Sequence, residues 1–369
     1  MPEPIRILHV VFSLDPGGME NGIVNVTNQL PPEFVVEMAC LERAGAFAER
    51  LKPGVGVHVL GKASGFQWRA VRWLRGLIKE CGPHIVHTHN LGPLIYGGLA
   101  AFGNKVKILQ GEHAQLTAAE RTPRRMFQRR VLYSRCARIH TVATEQLEEL
   151  VGAGFPARKI VAIVNGVDNV RFAPGQRAVV RRALGLPVDA EIIGMVGRFG
   201  PFKRHDALLE AFAAIASQRP ASFLVLVGDG GPRRESVLAQ IEAHPFRERI
   251  RWAGFQDNPV PWYQSFDVLA VPSVNEGMSN AVLEAMACGV AVVAHAACGH
   301  AEILGKAEAG VLADLSSEVE LVKALVGMLD RPDDTVKLGL AARDVVCRGY
   351  SLEGMCDAYA RCYRELVAG

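Results

Sequence analysis

The chain has 369 residues, of which 49% are hydrophobic and 21% are charged, with a formal net charge of +3. This is the balance of ordinary globular domains, and at ~100–200 residues per domain the length suits two of them. It excludes a disordered chain and a uniformly basic nucleic-acid binder, and no run reaches the ~18–20 apolar residues of a membrane span.

The N-terminal segment and the cysteines both bear on the cellular compartment in which the protein is expected. Residues 1–13 are apolar over too short a stretch for a signal peptide, and Arg6 and His9 interrupt them, so we interpret them as a first strand. The eight cysteines are scattered without a C-x-x-C pair, which is typical of reduced thiols. We therefore expect a cytoplasmic protein.

Short runs of Val, Ile, Leu and Ala alternate with longer helical patterns. Strands are predicted over residues 5–14, 35–41, 84–89, 107–112, 138–143, 159–164, 191–198, 222–230, 250–255, 268–273, 290–295 and 309–314. Most of these runs are continuously apolar, as in parallel strands that helices cover on both faces. The repeated strand–helix–strand order predicts an α/β, doubly wound fold.

The pattern occurs twice, separated by a polar stretch that contains Pro174 and Pro187. We therefore predict an N-terminal domain over residues 1–172 and a C-terminal domain over residues 173–350. The first 172 residues hold 21 basic and 14 acidic side chains and the remainder 20 and 24, so a basic half precedes an acidic one. Two doubly wound domains predict a ligand cleft at the carboxyl ends of their strands.

Two loops that follow predicted strands have the residues of phosphate sites. Gly17 and Gly18 stand at a strand-to-helix turn, where backbone N–H groups and a helix dipole favour an anion. In the second loop, Arg198 can hold phosphate oxygens bidentately and Lys203 adds a point charge. A plain tight turn and two solvated surface cations are the respective alternatives.

The segment NEGMSNAVLEAMACG, residues 275–289, carries two carboxylates in an otherwise small and apolar pattern. Glu276 is predicted at a strand-to-helix turn and Glu284 two turns into a helix. An unpaired buried carboxylate is costly, so Glu284 is expected to be paired or to face a ligand, and two such groups suit sugar and ribose hydroxyls. The alternative places Glu284 on a solvated helix face.

Three histidines close predicted strands. We expect strand alternation to place His87 and His89 on opposite faces of their strand, which disfavours a metal site there. His113 is a candidate for a hydrogen bond to a ligand, with a structural role as the alternative. The chain has no Asp-x-Asp pair of the kind that holds a metal on a nucleotide diphosphate, so cations and amides are expected to neutralise that charge.

Taken in order, these segments resemble the retaining glycosyltransferases of family 4, which have the GT-B fold of two Rossmann-like domains facing a central cleft. The matching pieces are Gly17-Gly18 with Glu20, His113, NGVD at 165–168, Gly197-Arg198 with Lys203, VGDG at 227–230, AGF at 253–255, and Glu276 through Gly289. The segments HVVFSLDPGGMENGIVN and EGMSNAVLEAMACG are most similar to exopolysaccharide-associated sugar transferases of the PEP-CTERM/exosortase type.

The resemblance implies a role for each matching residue. The implied donor site consists of Gly17, Gly18, Arg198, Lys203, Phe255, Glu276, Gly277, Met278, Ser279 and Glu284. In that site Arg198 and Lys203 hold the diphosphate and Glu284 the ribose hydroxyls, while Phe255 lies beside the base. The implied catalytic groups are Arg198 and Lys203 with Glu276, which holds the donor sugar, and His113, which bonds a sugar hydroxyl.

Two further features follow from the resemblance. The first domain lies on the acceptor side, and a helix over residues 351–369 crosses back to it. Many members continue Phe-Gly after Glu276-Gly277, where this chain has Met278-Ser279, so the identity of the donor sugar stays open.

The implied activity is transfer of a sugar from a UDP- or GDP-sugar to a glycan or lipid-linked acceptor, with retention of anomeric configuration and no metal or other cofactor. The expected setting is exopolysaccharide or cell-surface glycan synthesis. A nucleotide-sugar epimerase of the same fold and a non-catalytic nucleotide-sugar binder are the alternatives.

A basic face in the N-terminal half points to a further partner. Residues 118–138 carry seven Arg and one Glu, and residues 67–79 interleave Trp68 and Trp73 with basic side chains. This composition suits peripheral contact with an anionic membrane, at the inner face of the cytoplasmic membrane. A solvated helix that packs its apolar side into the core is the alternative; nucleic acid is not expected, because no nucleic-acid motif accompanies the patch.

Overall fold

The computed structural model describes residues 3–296, 298–305 and 309–369. The strands in these ranges are β1 Ile5–Val11, β2 Phe34–Cys40, β3 Gly56–Val59, β4 Ile85–His89, β5 Lys107–Glu112, β6 Arg138–Thr141, β7 Ile160–Ala162, β8 Glu191–Val196, β9 Ser222–Val227, β10 Ile250–Gly254, β11 Val268–Val271, β12 Ala291–His295 and β13 Val311–Ala313.

The α-helices in the same ranges are α1 Gly18–Gln29, α2 Trp68–Cys81, α3 Leu91–Ala100, α4 Pro123–Arg135, α5 Thr144–Gly152, α6 Arg177–Leu184, α7 His205–Gln218, α8 Arg234–Glu242, α9 Val260–Ser265, α10 Asn280–Ala287, α11 Cys298–His300, α12 Glu318–Leu329, α13 Pro332–Gly349 and α14 Leu352–Ala368. Among the described residues, none of these helices combines the length and the apolar character needed to cross a bilayer.

The chain divides into two compact units. Unit 1 comprises Met1–Asn165 and Leu352–Gly369, and unit 2 comprises Gly166–Ser351. The first division lies seven residues before the boundary predicted after residue 172, and the second lies one residue after the boundary predicted at 350. Helix α14 therefore belongs to unit 1 although it follows unit 2 in the chain.

Unit 1 is built on a seven-stranded sheet in the order β3-β2-β1-β4-β5-β6-β7, and every neighbouring pair is parallel. The first six strands have the 3-2-1-4-5-6 order of a Rossmann fold. The four-residue edge strand β3 was not predicted from the sequence. Its partly buried residues lack the apolar run that marks the central strands.

Both faces of the unit 1 sheet are covered by helices. Along β1, Ile7 and Val11 pack with α1 and α14, whereas Leu8 and Val10 pack with α2 and α3 on the other face. This explains the continuous apolar runs in the sequence, because a strand buried on both faces has no solvent-facing positions.

Unit 2 repeats the same plan in a six-stranded sheet, ordered β10-β9-β8-β11-β12-β13 and parallel throughout. On α7, Leu208, Phe212 and Ile215 recur at helical spacing and are buried in the core of this unit. The predicted α/β, doubly wound fold is therefore confirmed in both units.

Each sheet contains one switch point, a place between two neighbouring strands where the chain connections on either side run in opposite directions across the sheet. This point lies between β1 and β4 in unit 1 and between β8 and β11 in unit 2. The loops beyond the carboxyl ends of the strands separate there and leave a crevice, which is where doubly wound folds bind ligands.

Candidate active site

The loops of unit 2 meet at the carboxyl edge of its sheet. After β8, the chain makes a short turn over Pro201–Lys203, and the carbonyl of Phe202 accepts a hydrogen bond of 3.1 Å from the backbone N–H of Val274. In the same loop, the N–H of Phe199 donates to the carbonyl of Gly230 beyond β9, at 2.9 Å. Backbone bonds thus fix the loops on both sides of the switch point.

Lys203 and Glu276 face each other across this switch point and form an ion pair between Nζ and Oε1. Their side chains are 25% and 15% exposed, so the pair is largely shielded but open to a ligand. Burial by itself raises the pKa of Glu276, but the Lys203 ammonium outweighs it and lowers that pKa below its usual value. The site therefore offers a fixed ammonium donor beside a charged carboxylate acceptor.

The short helix α11, which follows β12, lies directly against the residue that follows Glu276. A Cβ atom at Gly299 would fall 1.7 Å from the carbonyl oxygen of Gly277, so only glycine fits there. The next residue, His300, is fully buried, and its Nδ1 lies 3.0 Å from the carbonyl of His295. Its Nε2 has no hydrogen-bond partner among the described residues.

The charge of Glu276 also affects the pKa of His300. Burial lowers the pKa of His300, and the Glu276 carboxylate opposes this shift without cancelling it. Because the Nδ1–H donates to a carbonyl, the free Nε2 is left as an acceptor. His300 was not predicted from the sequence, although a histidine beside a glycine, just beyond a predicted strand, was a signal for it.

Glu284 is half-buried on α10, between the buried residues Leu283 and Ala285. Its Oε2 accepts a hydrogen bond of 2.7 Å from the hydroxyl of Tyr263 on α9. Burial, followed by the nearby Glu284 charge, raises the pKa of Tyr263 well above its usual value, so this hydroxyl stays protonated and keeps donating. The carboxylate is thereby held in one orientation, as the sequence analysis expected of a paired group.

The remaining predicted residues of unit 2 differ in exposure. Met278 and Ser279 are buried and lead into α10, so Met278 forms part of the interior support of the loop. Arg198 is exposed, and Phe255 beyond β10 is 46% exposed. Exposed side chains of these types can close on a phosphate or a planar base, and their assignment to the donor stays a prediction.

In unit 1, Gly17 precedes the first residue of α1 at the carboxyl edge of the sheet, and Gly18 begins the helix. The backbone of Gly17 is extended, with φ −169° and ψ 163°. The α1 N-terminus presents backbone N–H groups at the switch point of this unit, which is compatible with the anion contact expected of the glycine pair.

The expectation that His87 and His89 lie on opposite faces of their strand was wrong. Residues two apart on a strand share a face, and the two rings lie 4.2 Å apart, centroid to centroid. His9 of β1 stacks on His89 at 5.2 Å, and His140 of β6 lies against His87 at 5.0 Å.

His113 completes this group just beyond β5. Its Nε2 lies 2.9 Å from Nδ1 of His89, and its backbone N–H donates to the side-chain oxygen of Asn90 at 3.1 Å. Burial lowers the pKa of His113 to about 4, so the ring is neutral at physiological pH. Its first role in the structure is as one member of a histidine cluster, and a hydrogen bond to a sugar stays a prediction.

Two family models together cover most of the chain. Residues 16–171 match the model described as Glycosyltransferase Family 4, and residues 176–345 match the model described as Glycosyl transferases group 1.

Two relatives show how far the likeness extends. The D-inositol 3-phosphate glycosyltransferase 2 of Catenulispora acidiphila is 31% identical over 80% of this chain and 73% of its own length. The D-inositol 3-phosphate glycosyltransferase of Thermobispora bispora is 32% identical over 73% of this chain and 64% of its own length. The matched region thus leaves about a quarter to a third of these relatives uncovered.

Solved structures share the fold at lower identity. Anabaena HepE in complex with UDP and glucose superposes with a TM-score of 0.85 at 18% identity, over 98% of this chain and 100% of that one. Sucrose-phosphate synthase from Thermosynechococcus elongatus gives a TM-score of 0.84 at 20% identity, over 99% of both chains.

Two parallel-sheet, Rossmann-like units in tandem, with this structural likeness, define the GT-B class of proteins. Within that class, the chain belongs to the group 1/family 4 glycosyltransferases.

Proposed function

We propose that the protein transfers a sugar from a nucleotide-diphosphate donor to a glycan or lipid-linked acceptor, with retention of anomeric configuration. The observation that carries this proposal is the Lys203–Glu276 pair at the switch point of unit 2. An ammonium there suits a diphosphate, and a carboxylate beside it suits sugar hydroxyls. The HepE structures with UDP and with UDP-glucose favour a uridine nucleotide as the first donor to test.

In the proposed reaction, the acceptor hydroxyl attacks the anomeric carbon as the bond from that carbon to the diphosphate oxygen breaks. Attack occurs on the face that the diphosphate leaves, and the leaving phosphate oxygen takes the proton of the hydroxyl. Lys203 and Arg198 stabilise the negative charge that develops on the leaving group, while Glu276 holds the donor sugar. Such preorganised charge is usually the largest catalytic contribution.

We propose that no divalent metal is required on the diphosphate. The chain lacks an Asp-x-Asp pair, and Arg198 and Lys203 supply positive charge in its place. Turnover in the presence of a chelator tests this point. Complete loss of activity that Mg²⁺ or Mn²⁺ restores would contradict it.

Glu284 completes the proposed donor site by accepting hydrogen bonds from the ribose hydroxyls. The hydroxyl of Tyr263 donates to Oε2 of this carboxylate, and a carboxylate accepts up to about four hydrogen bonds in all.

The direct test is thermal stabilisation against UDP, GDP, ADP, CMP and their sugars. A ligand at ~100 times its Kd adds about 2.7 kcal/mol, which is a readily measured shift. We expect UDP or GDP and their sugars to stabilise the wild type but not the Lys203→Ala variant. Lys337→Ala serves as the matched control, because Lys337 is an exposed lysine of unit 2 paired with Asp334 on α13.

If none of these nucleotides stabilises the protein at millimolar concentration, the proposed donor site is wrong. With a donor identified, product analysis separates the remaining functions. A transferase consumes donor only with an acceptor present, an epimerase converts the sugar without one, and a binder does neither. The anomeric configuration of the product, measured by NMR, tests retention.

We further propose that the acceptor is met at the inner face of the cytoplasmic membrane, in exopolysaccharide or cell-surface glycan synthesis. Supporting this, α4 exposes Arg124 and Arg130 beside Phe127, which is 67% exposed. On α2, Trp68 is 61% exposed. Basic side chains beside exposed aromatic ones suit an anionic lipid surface.

Both helices also pack in the core, as the alternative interpretation of this face held. On α2, Val71, Leu74 and Leu77 are buried. On α4, Arg129 is buried and pairs with Glu120 at 3.3 Å, so it contributes nothing to the basic surface. The surface proposed for lipid contact is therefore narrower than the count of seven arginines suggests.

A further inference from the structure

Five histidines of unit 1 occupy the centre of one face of its sheet. They come from β1, β4, the loop after β5, and β6: His9, His87, His89, His113 and His140. Elsewhere on this face the sheet presents Ile7, Val11, Ile85 and Leu109 to the core. Five imidazoles within an otherwise apolar core are unusual, because buried polar groups need hydrogen-bond partners or another ligand.

Three of these rings converge on one point. His89, His113 and His140 each offer a ring nitrogen, and the three nitrogens lie within 4.8 Å of one another. Nδ1 of His89 is 2.9 Å from Nε2 of His113. Ligand nitrogens at about 2.0–2.1 Å from a tetrahedral Zn²⁺ lie roughly 3.3 Å apart, so the rings need only small movements to bind an ion.

Gly111 of β5 provides the space for this convergence. A Cβ atom there would lie 2.5 Å from Nε2 of His140 and 2.8 Å from Nε2 of His113. Any side chain at this position would displace both rings. The absence of a side chain at Gly111 therefore leaves the space that these two rings occupy.

The chemistry of the rings selects a class of ion. All three ligand atoms that these residues offer are imidazole nitrogens. Neutral imidazoles suit Zn²⁺, Cu²⁺ and Ni²⁺, whereas Mg²⁺ and Ca²⁺ prefer oxygen ligands.

The surroundings supply support and a route of entry. The second ring nitrogen of His89, Nε2, lies 2.9 Å from Nδ1 of His9, and such an outer contact orients a metal-binding ring. Nε2 of His9 is buried without a partner in the described part of the chain. A cavity of about 20 Å³ borders His9, His89 and His113, enough for one water molecule, and the partly exposed His113 opens the cluster to solvent.

We propose that His89, His113 and His140 bind one divalent transition-metal ion, with Zn²⁺ preferred. The fourth position of the tetrahedron is open to water or to a ligand atom, as in zinc sites with three histidines. This site lies within unit 1 and shares His113 with the sugar contact predicted for that residue, whereas the Lys203–Glu276 pair belongs to unit 2. It does not depend on the proposed reaction.

The test is direct metal binding by the full chain. After removal of metals with a chelator and dialysis, titration calorimetry with Zn²⁺ is expected to show one strong site per chain. Binding of Co²⁺ is expected to produce the intense visible absorption of a tetrahedral nitrogen site. No binding by either method would overturn the proposal.

Variants locate the ion. His113→Ala and His89→Ala should each weaken Zn²⁺ binding by more than roughly tenfold, since even an outer contact of a ligand is typically worth 10–100-fold. His58→Ala is the matched control, because His58, Glu37 and Cys81 form a separate group of ligating residues in unit 1. Loss of binding in His58→Ala with retention in His113→Ala would place the ion there and overturn the proposal.

The two cluster variants also address folding. His113 is partly exposed, so its truncation is expected to be tolerated. Circular dichroism of metal-free wild type and His113→Ala establishes that the fold is kept. Unchanged Zn²⁺ affinity in a folded His113→Ala protein would contradict the assignment.

Discussion

Lys203 is the residue on which the proposed chemistry most depends. Its ammonium is held in place by Glu276, so it is preorganised to meet a diphosphate. We expect Lys203→Ala to lower kcat by about 10²–10³, the range found when one preorganised donor is removed from a developing negative charge. Steady-state kinetics with the identified donor provides the measurement, and Lys337→Ala should keep wild-type rates.

The same substitution should also lower the free energy of unfolding, because the charge of the largely buried Glu276 carboxylate loses its ion-pair partner. Circular dichroism must therefore accompany the kinetics. A folded Lys203→Ala protein with wild-type kcat would show that the ion pair is structural.

Tyr263 tests the role of Glu284 without altering the carboxylate. Tyr263→Phe removes the 2.7 Å hydrogen bond to Glu284. A bond to a charged group contributes about 1.5–3 kcal/mol, so the free energy of unfolding should fall by that order. If Glu284 binds the ribose, KM for the donor should rise while kcat changes little, because the carboxylate loses its fixed orientation.

Urea denaturation and donor kinetics give the two readouts for this variant. Tyr350→Phe, which removes the hydroxyl of a half-buried tyrosine elsewhere in unit 2, is the control for a general effect of the substitution. A stability loss with unchanged KM would assign Tyr263 to the core alone.

Single residues could be predicted from the sequence where the side chain type itself suggests a chemistry. Predictions failed where the role of a residue depends on which side chains lie next to it in the fold. The sequence marked Glu276 and Lys203 but could not show that they pair, since they are 73 positions apart. It placed Arg129 on a basic surface, although Glu112 and Glu120 hold it in the interior. The histidine cluster was missed because its five residues, from four separate segments of the chain, become neighbours only through the order of the sheet.

At the scale of elements, α4 and α2 decide whether unit 1 meets a lipid surface. Each Lys or Arg near an anionic surface contributes about 1 kcal/mol. The double substitution Arg124→Ala/Arg130→Ala on α4 should therefore weaken binding to phosphatidylglycerol vesicles by about 2 kcal/mol, or roughly 30-fold. Co-sedimentation measures this affinity, with phosphatidylcholine vesicles as the uncharged comparison.

The control is Arg251→Ala, which removes an exposed arginine from unit 2. It should leave vesicle binding unchanged. Equal binding by the wild type and the double variant would indicate that the exposed basic side chains of α4 are simply solvated.

The elements themselves were largely predictable. Each predicted strand corresponds to an observed one, because a strand that is buried on both faces is usually a near-continuous apolar run. The predictions run too long at several ends: 222–230 continues past β9 into the loop of Gly228 and Gly230, whose positive φ values end the strand. The four-residue edge strand β3 was missed because it carries no such apolar run.

At the scale of the whole molecule, the order of strands was the information that the sequence lacked. Composition and alternation predicted two doubly wound units, but only the sheet order shows that β8 neighbours β11 and brings Lys203 to Glu276. The same applies to unit 1, where β1, β4 and β6 each contribute histidines to one face. Sites at a switch point are built from loops that are distant in sequence, whereas a sequence motif describes only one such loop.

The histidines of unit 1 make the stability of the protein depend on pH. Burial, with a smaller contribution from His113, lowers the pKa of His9 to about 3, and burial lowers that of His113 to about 4. In the unfolded chain both titrate near 6.5. Between these values the unfolded state binds more protons than the folded state, so stability is retained above pH 6.5 and falls as the pH is lowered.

The expected loss is about 1.4 kcal/mol per pH unit for each such histidine below pH 6.5. Urea denaturation between pH 7.5 and 5, followed by tryptophan fluorescence in the presence of chelator, measures it. His9→Gln should show a shallower dependence than the wild type, because one buried base no longer has to take up a proton on unfolding. A slope unaffected by His9→Gln would mean that the cluster takes up protons without unfolding.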